Sequence, residues 1–392
     1  MTIAAGRARP LDGVRVLDFT TMVSGPYCTR LLADVGATVI KLESPTGDLL
    51  RAAVPHGASG SRYFAAFNAG KRSIVVDLKQ PDGVALAREL AAQCDVVVEN
   101  FRPGVMHKLG LGYAALAAAN PAQVYCSISG FGQTGPMQDW PAYAPIAHAL
   151  SGFDHVFTQA QESDGAPPIA AIQVADVLTG AFAFGAVQSA LIARYRTGRG
   201  DYVDATLLEA AMALVTGDLQ MPQIETNTRI TTFKAVRARD GYVMPVILTD
   251  KAFEALADVV DPTLRGDPRF TTRERAKHFP ELRAAIERWT SRHDARHCQE
   301  TLMAAGVPCA RYATLDDVLD EPQLHALGAF ATLEDASGAF VVNNAPFRFG
   351  NADRGIRGGA PALGEHTRHV LTDLLGADTN RLADWLARNV IA

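Results

Sequence analysis

Runs of branched apolar residues recur along the first half of the chain, and stretches with helical spacing of apolar positions separate them. The strand-like runs lie at 14–20, 38–43, 73–78, 95–101 and 124–129. Helix-like patterns lie at about 81–93 and 113–119, and a further helix is predicted with Ser24 as its N-cap and Gly36 just past its end. Near-continuous apolar strands alternating with helices indicate a parallel sheet covered on both faces. The pattern therefore predicts an α/β fold with a large Rossmann-like parallel-sheet domain.

The pattern changes after Leu219. A hairpin that turns at Asp240-Gly241 is predicted first. The further elements predicted are helices at about 251–260, 274–292 and 295–306, a strand at 307–312, a strand pair at 330–343, and helices near 367–376 and 379–390. We therefore predict a large α/β domain over 1–221, a smaller α+β domain over 222–325, and a C-terminal segment over 326–392 that returns to the large domain.

One long stretch without charge runs from Val177 to Ala193, between Asp176 and Arg194. It falls short of the ~20 apolar residues that a membrane span needs, and it contains several small and polar residues. We interpret it as a buried, closely packed helix. The first ten residues lack the apolar run of a signal peptide, so we expect a soluble, cytoplasmic protein.

Composition changes this picture little. Of 392 residues, 48% are hydrophobic, and 37 Lys and Arg against 42 Asp and Glu give a net charge of −5. A mildly acidic chain has no overall attraction for nucleic acid or for an anionic membrane, so neither is expected as a partner. The five cysteines are widely scattered, which excludes a zinc pattern and suits a reducing compartment. We expect no metal site.

Several common catalytic motifs are missing. The first strand is followed by Thr21-Met-Val-Ser-Gly-Pro26 and not by G-x-G-x-x-G, which argues against a nicotinamide site. The chain also lacks G-x-x-x-x-G-K-[ST], G-x-S-x-G and H-E-x-x-H. The phosphate-loop, serine-hydrolase and zincin interpretations therefore fall.

Asp176 is a candidate functional carboxylate, because it lies at the predicted start of the long apolar helix. It can be a first-turn acid favoured by the helix dipole, or a carboxylate nucleophile that small neighbours leave open to a substrate. The residues alone leave both interpretations open. His148 is interpreted as a packed helix residue and not a base, and the Asp154-His155 pair is expected in a loop.

Several segments in register resemble the family III CoA-transferases, the group that includes formyl-CoA transferase and carnitine CoA-transferase. The matching text comprises Leu11-Asp-Gly-Val-Arg-Val-Leu-Asp-Phe-Thr20, Leu32-Ala-Asp-Val-Gly-Ala-Thr-Val-Ile-Lys-Leu-Glu43, Lys71-Arg-Ser-Ile-Val-Val-Asp-Leu-Lys79, Asp95-Val-Val-Val-Glu-Asn-Phe-Arg-Pro-Gly104, Ala175-Asp176, Thr197-Gly-Arg-Gly-Asp-Tyr-Val-Asp204 and Leu363-Gly-Glu-His-Thr367. These segments extend over nearly the whole chain.

The resemblance implies an enzyme that moves CoA from an acyl-CoA donor to a carboxylic acid acceptor. Asp176 matches the nucleophile, which forms an aspartyl anhydride and then an aspartyl-CoA thioester. No permanently bound cofactor is implied, because the CoA thioester is itself a substrate. The resemblance also implies a homodimer in which two ring-shaped subunits interlock.

Further site residues follow from the same resemblance. Val23 matches a residue whose backbone N–H points at the reacting carbonyl. The positions that match CoA-binding residues are Val76, Asp77, Leu78, Lys79, Asn100, Phe101, Arg102, Lys108, Tyr143 and Ala144. Formyl-CoA transferase has Gln at the position of Val23 and Arg at that of Ser44, and its glycine-rich loop over the site is missing here. The donor and acceptor acids, and the loop that covers the site, therefore stay open.

Two other functions stay open as alternatives. An alpha-methylacyl-CoA racemase needs two bases beside the α-carbon, and racemases of this superfamily carry an adjacent His-Asp pair. Tyr143 and Ala144 occupy those two positions here, which argues against racemisation. A non-catalytic CoA-binding protein would keep the scaffold without needing Asp176.

Overall fold

The protein folds into two compact units in a computed structural model that describes residues 7–57, 60–160, 172–224 and 234–392. One unit comprises Met1–Asp218 and Ala326–Ala392, and the other comprises Leu219–His325. The boundary predicted from the sequence, at 221/222, lies three residues after the division between the units.

The strands and helices are numbered in chain order. The strands are β1 Arg15–Asp18, β2 Thr38–Glu43, β3 His56–Gly57, β4 Gly60–Ser61, β5 Arg72–Val75, β6 Val96–Glu99, β7 Val124–Ser129, β8 Tyr202–Thr206, β9 Val236–Arg237, β10 Tyr242–Pro245, β11 Cys309–Arg311, β12 Phe330–Asp335 and β13 Gly338–Asn343. The helices are α1 Ser24–Asp34, α2 Arg62–Asn68, α3 Pro81–Ala92, α4 Val105–Lys108, α5 Tyr113–Ala119, α6 Ala144–Leu150, α7 Phe153–Ala160, α8 Val174–Thr197, α9 Leu207–Ala213, α10 Asp250–Val260, α11 Phe279–Thr290, α12 Ala295–Ala304, α13 Leu315–Leu319, α14 Pro322–Ala326, α15 Thr367–Leu375 and α16 Thr379–Ala387.

A six-stranded sheet in the order β5-β2-β1-β6-β7-β8 forms the centre of the first unit. All of its neighbouring strands are parallel, and β1 pairs with β2 on one side and with β6 on the other. The prediction of an α/β fold with a parallel sheet is therefore confirmed. Strand β8 lies at the edge and was not predicted, because its alternation of partly buried and exposed residues is weak.

Apolar side chains from alternate sheet positions build a core on each face. Leu17 packs on one face with residues of α3, α15 and α16. Val16 points to the other face, where it packs with residues of α1 and α8. The period-two alternation of strand side chains accounts for this division, because neighbours in a strand point to opposite faces. Both faces of the sheet are therefore covered.

Helix α8 packs closely against α1 on one side only. Gly180 lies where a Cβ atom would come within 2.6 Å of the Ser24 carbonyl oxygen, so glycine allows the two backbones to approach. The opposite side of α8 carries exposed Phe182, Ile192 and Tyr195. The expectation of a buried helix is thus only half correct. Among the described residues, α8 is also the one helix long and apolar enough to cross a membrane by length and composition.

The second unit has a small antiparallel sheet in the order β11-β10-β9. Helices α10, α11 and α12 cover it and share a core that includes Val243, Leu256 and Leu302. Helix α11 begins at Phe279, five residues after the predicted start at 274, and Pro280 occupies its first turn. Proline is favoured there because that N–H has no partner within the helix.

Two local expectations are wrong. Asp154 and His155 lie in helix α7 and not in a loop. Val23, and not Ser24, is the N-cap of α1, and no side chain caps that helix. The Ser24 hydroxyl instead bonds to a carboxylate of another helix, so a tertiary contact takes the place of a local one.

We expect Gly180→Ala to lower stability by about 1–3 kcal/mol, because the added methyl group would collide with the Ser24 carbonyl oxygen and crowd the Tyr27 side chain on α1. Gly185→Ala is the matched control on the same helix, since a Cβ there meets nothing within 4 Å. It should be neutral or stabilise the protein by about 0.5–1 kcal/mol. Urea unfolding of both variants measures the difference, and equal midpoints would contradict this account of the α1–α8 contact.

Candidate active site

The topology of the sheet indicates where a site should lie. The chain moves from β1 towards one edge through β2, and later from β6 towards the other edge through β7. Open α/β sheets bind ligands at such a switch point, outside the carboxyl ends of the strands. The loops after β1 and β6 are joined there, because Asn100 accepts a hydrogen bond from the Thr21 N–H at 2.9 Å and donates one to the Thr21 carbonyl at 2.8 Å.

A cavity of about 270 Å³ lies at this switch point. It is lined by Thr21, Met22, Ser24, Leu49, Asn100, Phe101, Arg102, Pro103, Ile128, Ser129, Gly130, Gln138, Trp140, Pro141, Ala142, Tyr143, Asp176 and Leu207. Among the described residues of this lining, Asp176 is the one acidic side chain and Arg102 is the one basic side chain. The cavity therefore combines one carboxylate, one cation and several apolar side chains.

Asp176 lies in the first turn of α8, and its environment disfavours the charged form. Burial raises the pKa of its carboxyl to about 6, although a hydrogen bond from the Ser24 side chain acts in the opposite direction. Because burial favours the protonated form in the folded protein, the contribution of Asp176 to stability is fully present below about pH 4 and is lost as the pH rises through 6. At neutral pH the ionised carboxylate costs on the order of 2–3 kcal/mol.

The loop that faces Asp176 rests on a buried ion pair. The Lys41 ammonium group lies 2.9 Å from the Asp48 carboxylate and donates a hydrogen bond to the Thr20 carbonyl at 2.7 Å. Asp48 also accepts from the Met22 N–H at 3.2 Å. Met22 has a φ angle of 66°, a left-handed conformation that is unfavourable for a side chain of this kind. The ion pair thus holds the loop in a strained conformation.

A second buried pair lies beneath the first. The Lys71 ammonium group is 3.0 Å from Asp18, whose carboxylate also accepts from the Thr20 N–H and from the Thr29 hydroxyl. Burial lowers the pKa of Lys71 to about 8, and the Asp18 charge limits that decrease. The pair fixes the start of the loop at Thr20 and joins it to α1 through Thr29.

Val23 follows this loop and serves as the N-cap of α1. Its side chain is buried, and its neighbours Met22 and Ser24 line the cavity. Its carbonyl accepts a hydrogen bond from the Tyr27 N–H at 2.8 Å. Within the described part of the chain, the Val23 N–H itself has no acceptor.

The segment after β6 contributes three of the predicted CoA-binding residues to the cavity, namely Asn100, Phe101 and Arg102. Glu99 supports this segment by accepting a hydrogen bond from the Phe101 N–H at 2.9 Å. Burial raises the pKa of Glu99 to about 7. Tyr143 lines the same cavity with 69% of its side chain exposed.

The other predicted CoA-binding residues lie outside the cavity. Ala144 is buried at the start of α6, and the Val76 side chain lies in the core. Asp77 accepts a hydrogen bond from the Lys79 N–H at 3.0 Å, which gives the segment a local turn. Leu78 is half-buried, whereas Lys79 and Lys108 are exposed. The structure thus brings together only part of the predicted set.

Sequence reasoning missed four residues that shape the site: Ser24, Lys41, Asp48 and His148. Lys41 and Asp48 are fully buried, although lysine and aspartate are ordinarily exposed. The one local signal was a lysine inside the apolar strand 38–43. In the described ranges, no cluster of His, Cys, Asp and Glu could hold a metal ion.

Comparison with known proteins agrees with the geometry. The sequence model of the family described as CoA-transferase family III matches residues 11–367. The succinate–glutarate CoA-transferase of Agrobacterium fabrum is 34% identical over 401 residues, with 95% of this chain and 98% of that protein covered. The acetyl-CoA:oxalate CoA-transferase of Acetobacter aceti is 36% identical over 369 residues, with 91% and 93% covered.

A solved structure of a CaiB/BaiF family protein from Brucella suis superimposes with a TM-score of 0.85 at 32% identity. The match covers 94% of this chain and 100% of that one. Family match, relatives and fold therefore agree over nearly the whole chain. The chain belongs to CoA-transferase family III, and it is a CoA-transferase.

Proposed function

We propose that the protein transfers CoA from an acyl-CoA thioester to a free carboxylic acid through covalent intermediates on Asp176. The observation that carries the proposal is the position of this carboxylate, which is partly buried in a cavity at the switch point of the sheet. A carboxylate with a pKa near 6 is ionised at neutral pH, and it is more basic than an exposed aspartate. Both properties suit a nucleophile.

The first half-reaction loads the enzyme. A carboxylate oxygen of Asp176 attacks the thioester carbonyl carbon, and the carbon–sulfur bond breaks. The CoA thiolate is released, and an aspartyl acyl anhydride remains on the enzyme. The thiolate then attacks the aspartyl carbonyl carbon of the anhydride. The first acid leaves as its carboxylate, and an aspartyl-CoA thioester remains. The Val23 N–H is the proposed donor to the oxygen that becomes negative in these steps.

The second half-reaction reverses these steps with another acid. The acceptor carboxylate attacks the aspartyl-CoA carbonyl, the thiolate leaves, and a new anhydride forms. The thiolate then attacks the acceptor's carbonyl carbon, which releases the new CoA ester and the Asp176 carboxylate. Every acyl bond that breaks is replaced by another acyl bond, so no oxidant, metal or nucleotide hydrolysis is needed. Water must be excluded, because it would hydrolyse the anhydride.

The CoA nucleotide is proposed to lie over the segment after β6. Arg102 is exposed, lines the cavity and has no ion-pair partner among the described residues, so its guanidinium group can bind a phosphate. Phe101 and Tyr143 offer apolar surface to the pantetheine arm. Lys79 and Lys108 are exposed cations outside the cavity, where they can attract the more distant phosphates.

The acceptor is proposed to be a small dicarboxylic acid. The names of the two relatives above contain glutarate and oxalate, which both belong to this class. Racemisation is disfavoured, because the described cavity lining offers Asp176 as its one carboxylate and no histidine, whereas racemisation needs two bases. Incubation of succinyl-CoA and acetyl-CoA with a panel of acids in deuterium oxide separates transfer from α-carbon exchange by mass spectrometry.

The proposed assembly is a homodimer with interlocked subunits, located in the cytoplasm. No nucleic acid or membrane partner and no permanently bound cofactor is proposed. Large apolar side chains on α6 and α8 support a protein interface, since Ile146, Leu150, Phe182, Ile192 and Tyr195 are all exposed. The five cysteines are free and buried, as suits a reducing compartment.

We expect Asp176→Ala and Asp176→Asn to fold and bind CoA but to lose transfer by several orders of magnitude, because neither side chain can form the anhydride. In the parent enzyme, kcat/KM should decrease as the pH is lowered through about 6, because the nucleophile becomes protonated. Asp82→Asn, in the first turn of α3, is the matched control and should stay active. More than about a tenth of the activity in either Asp176 variant, a loss of only ~1.4 kcal/mol, would contradict the assignment.

We expect Arg102→Ala and Lys79→Ala to raise KM for acyl-CoA more than they lower kcat, because phosphate contacts are made equally in the ground and transition states. An N-acetylcysteamine thioester of the same acid lacks the nucleotide, and its KM should be unchanged in both variants. Exposed Lys251→Ala is the control cation. A variant with an unchanged KM for acyl-CoA would remove that residue from the CoA site.

We expect light scattering to give a dimer mass down to nanomolar concentration, because interlocked subunits cannot separate without unfolding. Labelled and unlabelled protein should not exchange subunits over hours under native conditions. A folded monomer that exchanges within minutes would show that the subunits do not interlock.

A further inference from the structure

We propose that His148 is a positioning residue for Asp176: it binds the backbone N–H beside the nucleophile and so keeps the nucleophilic carboxylate available to substrate. The inference rests on the proposed function. His148 lies in α6 with its side chain fully buried, and it does not line the cavity. Its Nε2 atom accepts a hydrogen bond from the Ala175 N–H at 3.0 Å.

The start of α8 explains why this contact matters. The first N–H groups of a helix have no partner within the helix, and a polar N-cap side chain usually accepts one of them. Gln173 is the N-cap here, and its side chain makes no capping bond. The Val174 N–H donates to the Ile172 carbonyl at 2.8 Å, and the Ala175 N–H donates to His148. His148, from helix α6, thus accepts the N–H that a capping side chain would otherwise accept.

Asp176 itself would be the competing acceptor. It is the third residue of α8, and a carboxylate in the first turn of a helix is attracted to the N–H groups that have no partner within the helix. A backbone hydrogen bond to a carboxylate stabilises its charged form, which lowers both its pKa and its nucleophilicity. Because the Ala175 N–H already donates to His148 Nε2, it is not free to donate to the Asp176 carboxylate. The carboxylate bonds to the Ser24 side chain across the cavity wall.

The imidazole must be neutral for this role, with its proton on Nδ1. Burial lowers the pKa of His148 and favours the neutral ring, while Asp154 on α7 opposes this. The other acidic groups on the helices packed against α6 are Asp176 on α8 and Glu209 on α9. The Phe153 and His148 ring centroids lie 5.1 Å apart, and the His148 side chain has no solvent exposure. The ring therefore stays an acceptor through the neutral range.

Three variants and one control test the proposal. His148→Gln keeps an acceptor near the Nε2 position, His148→Leu removes it, and His148→Asn is polar but too short to reach the Ala175 N–H. Thr179→Val is the control, because the buried Thr179 hydroxyl donates to the Ala175 carbonyl at 2.6 Å and makes no bond to the Ala175 N–H. The measurements are the pH profile of kcat/KM, and kcat and KM for acyl-CoA.

We expect His148→Leu and His148→Asn to lower kcat at least tenfold with little change in KM. The acid limb of the profile, near pH 6 in the parent, should move down by half a unit or more. The kcat of His148→Gln should stay within about threefold of the parent value, a change well below the tenfold that ~1.4 kcal/mol produces. Its acid limb should stay in place, because the Gln side chain keeps an acceptor for the Ala175 N–H. Thr179→Val should lower the unfolding midpoint without moving the limb.

The outcomes separate the inference from the proposed function. If His148→Leu fails to fold, His148→Asn gives the same comparison. The positioning role would be overturned by an unmoved acid limb in His148→Leu and His148→Asn, or by a His148→Gln variant that loses as much activity as His148→Leu. An inactive Asp176→Asn variant would still support the covalent mechanism in that case. An active Asp176→Asn would overturn both.

Discussion

Two lysine ammonium groups with no solvent contact hold the loop on which the rest of the site depends. Lys41 pairs with Asp48 and Lys71 with Asp18, and all four side chains are fully buried. Loss of one partner from such a pair leaves a buried charge, which costs about 3–5 kcal/mol. Small displacements of the loop are therefore resisted, and the strained Met22 backbone is retained. The charges act here as an anchor for backbone groups and not as reactants.

Asp176 faces this rigid loop from a helix of different character. Its ionised form is disfavoured by burial, so the neutral-pH protein carries a destabilising charge where the chemistry is proposed. Such a conflict between stability and local function is common at active sites. The hydrogen bond from the Ser24 side chain offsets part of this cost, and the close α1–α8 contact at Gly180 brings the two helices together. The helix that carries the destabilising carboxylate is thus held closely against α1 on its buried side.

The sequence predicts the repeating architecture well, because that information is local. Buried parallel strands are apolar throughout, and helix ends carry glycine and proline where the backbone needs them, as at Gly36. The predicted parallel sheet, the hairpin at Asp240-Gly241 and the terminal helices follow from such signals. The edge strand β8 did not, because half-buried edge positions lack that uniform pattern.

The site was less predictable, because its contacts join residues distant in the chain. Ser24 looks like an N-cap in the sequence, yet its hydroxyl bonds to Asp176. His148 looks like a packed helix residue, which it is, but its Nε2 atom binds the N–H of Ala175, 27 residues away. Propensity describes a residue's own segment, and neither partner belongs to that segment. Resemblance to a family supplied Asp176 but not the residues that hold it in place.

The size of the cavity limits how the substrates of the proposed reaction can be arranged. A volume of about 270 Å³ lies below the range of ~300–1,000 Å³ in which proteins enclose drug-sized ligands. It can hold the thioester end of an acyl-CoA, but the nucleotide must lie outside, beside exposed Arg102. The departing acid and the arriving acid then use the same small space in turn while CoA stays bound by its distant end. Specificity for the acid should therefore come from other side chains that line the cavity, such as Leu49 and Trp140, and affinity for CoA from Arg102, Phe101 and Tyr143 and from cations outside the cavity.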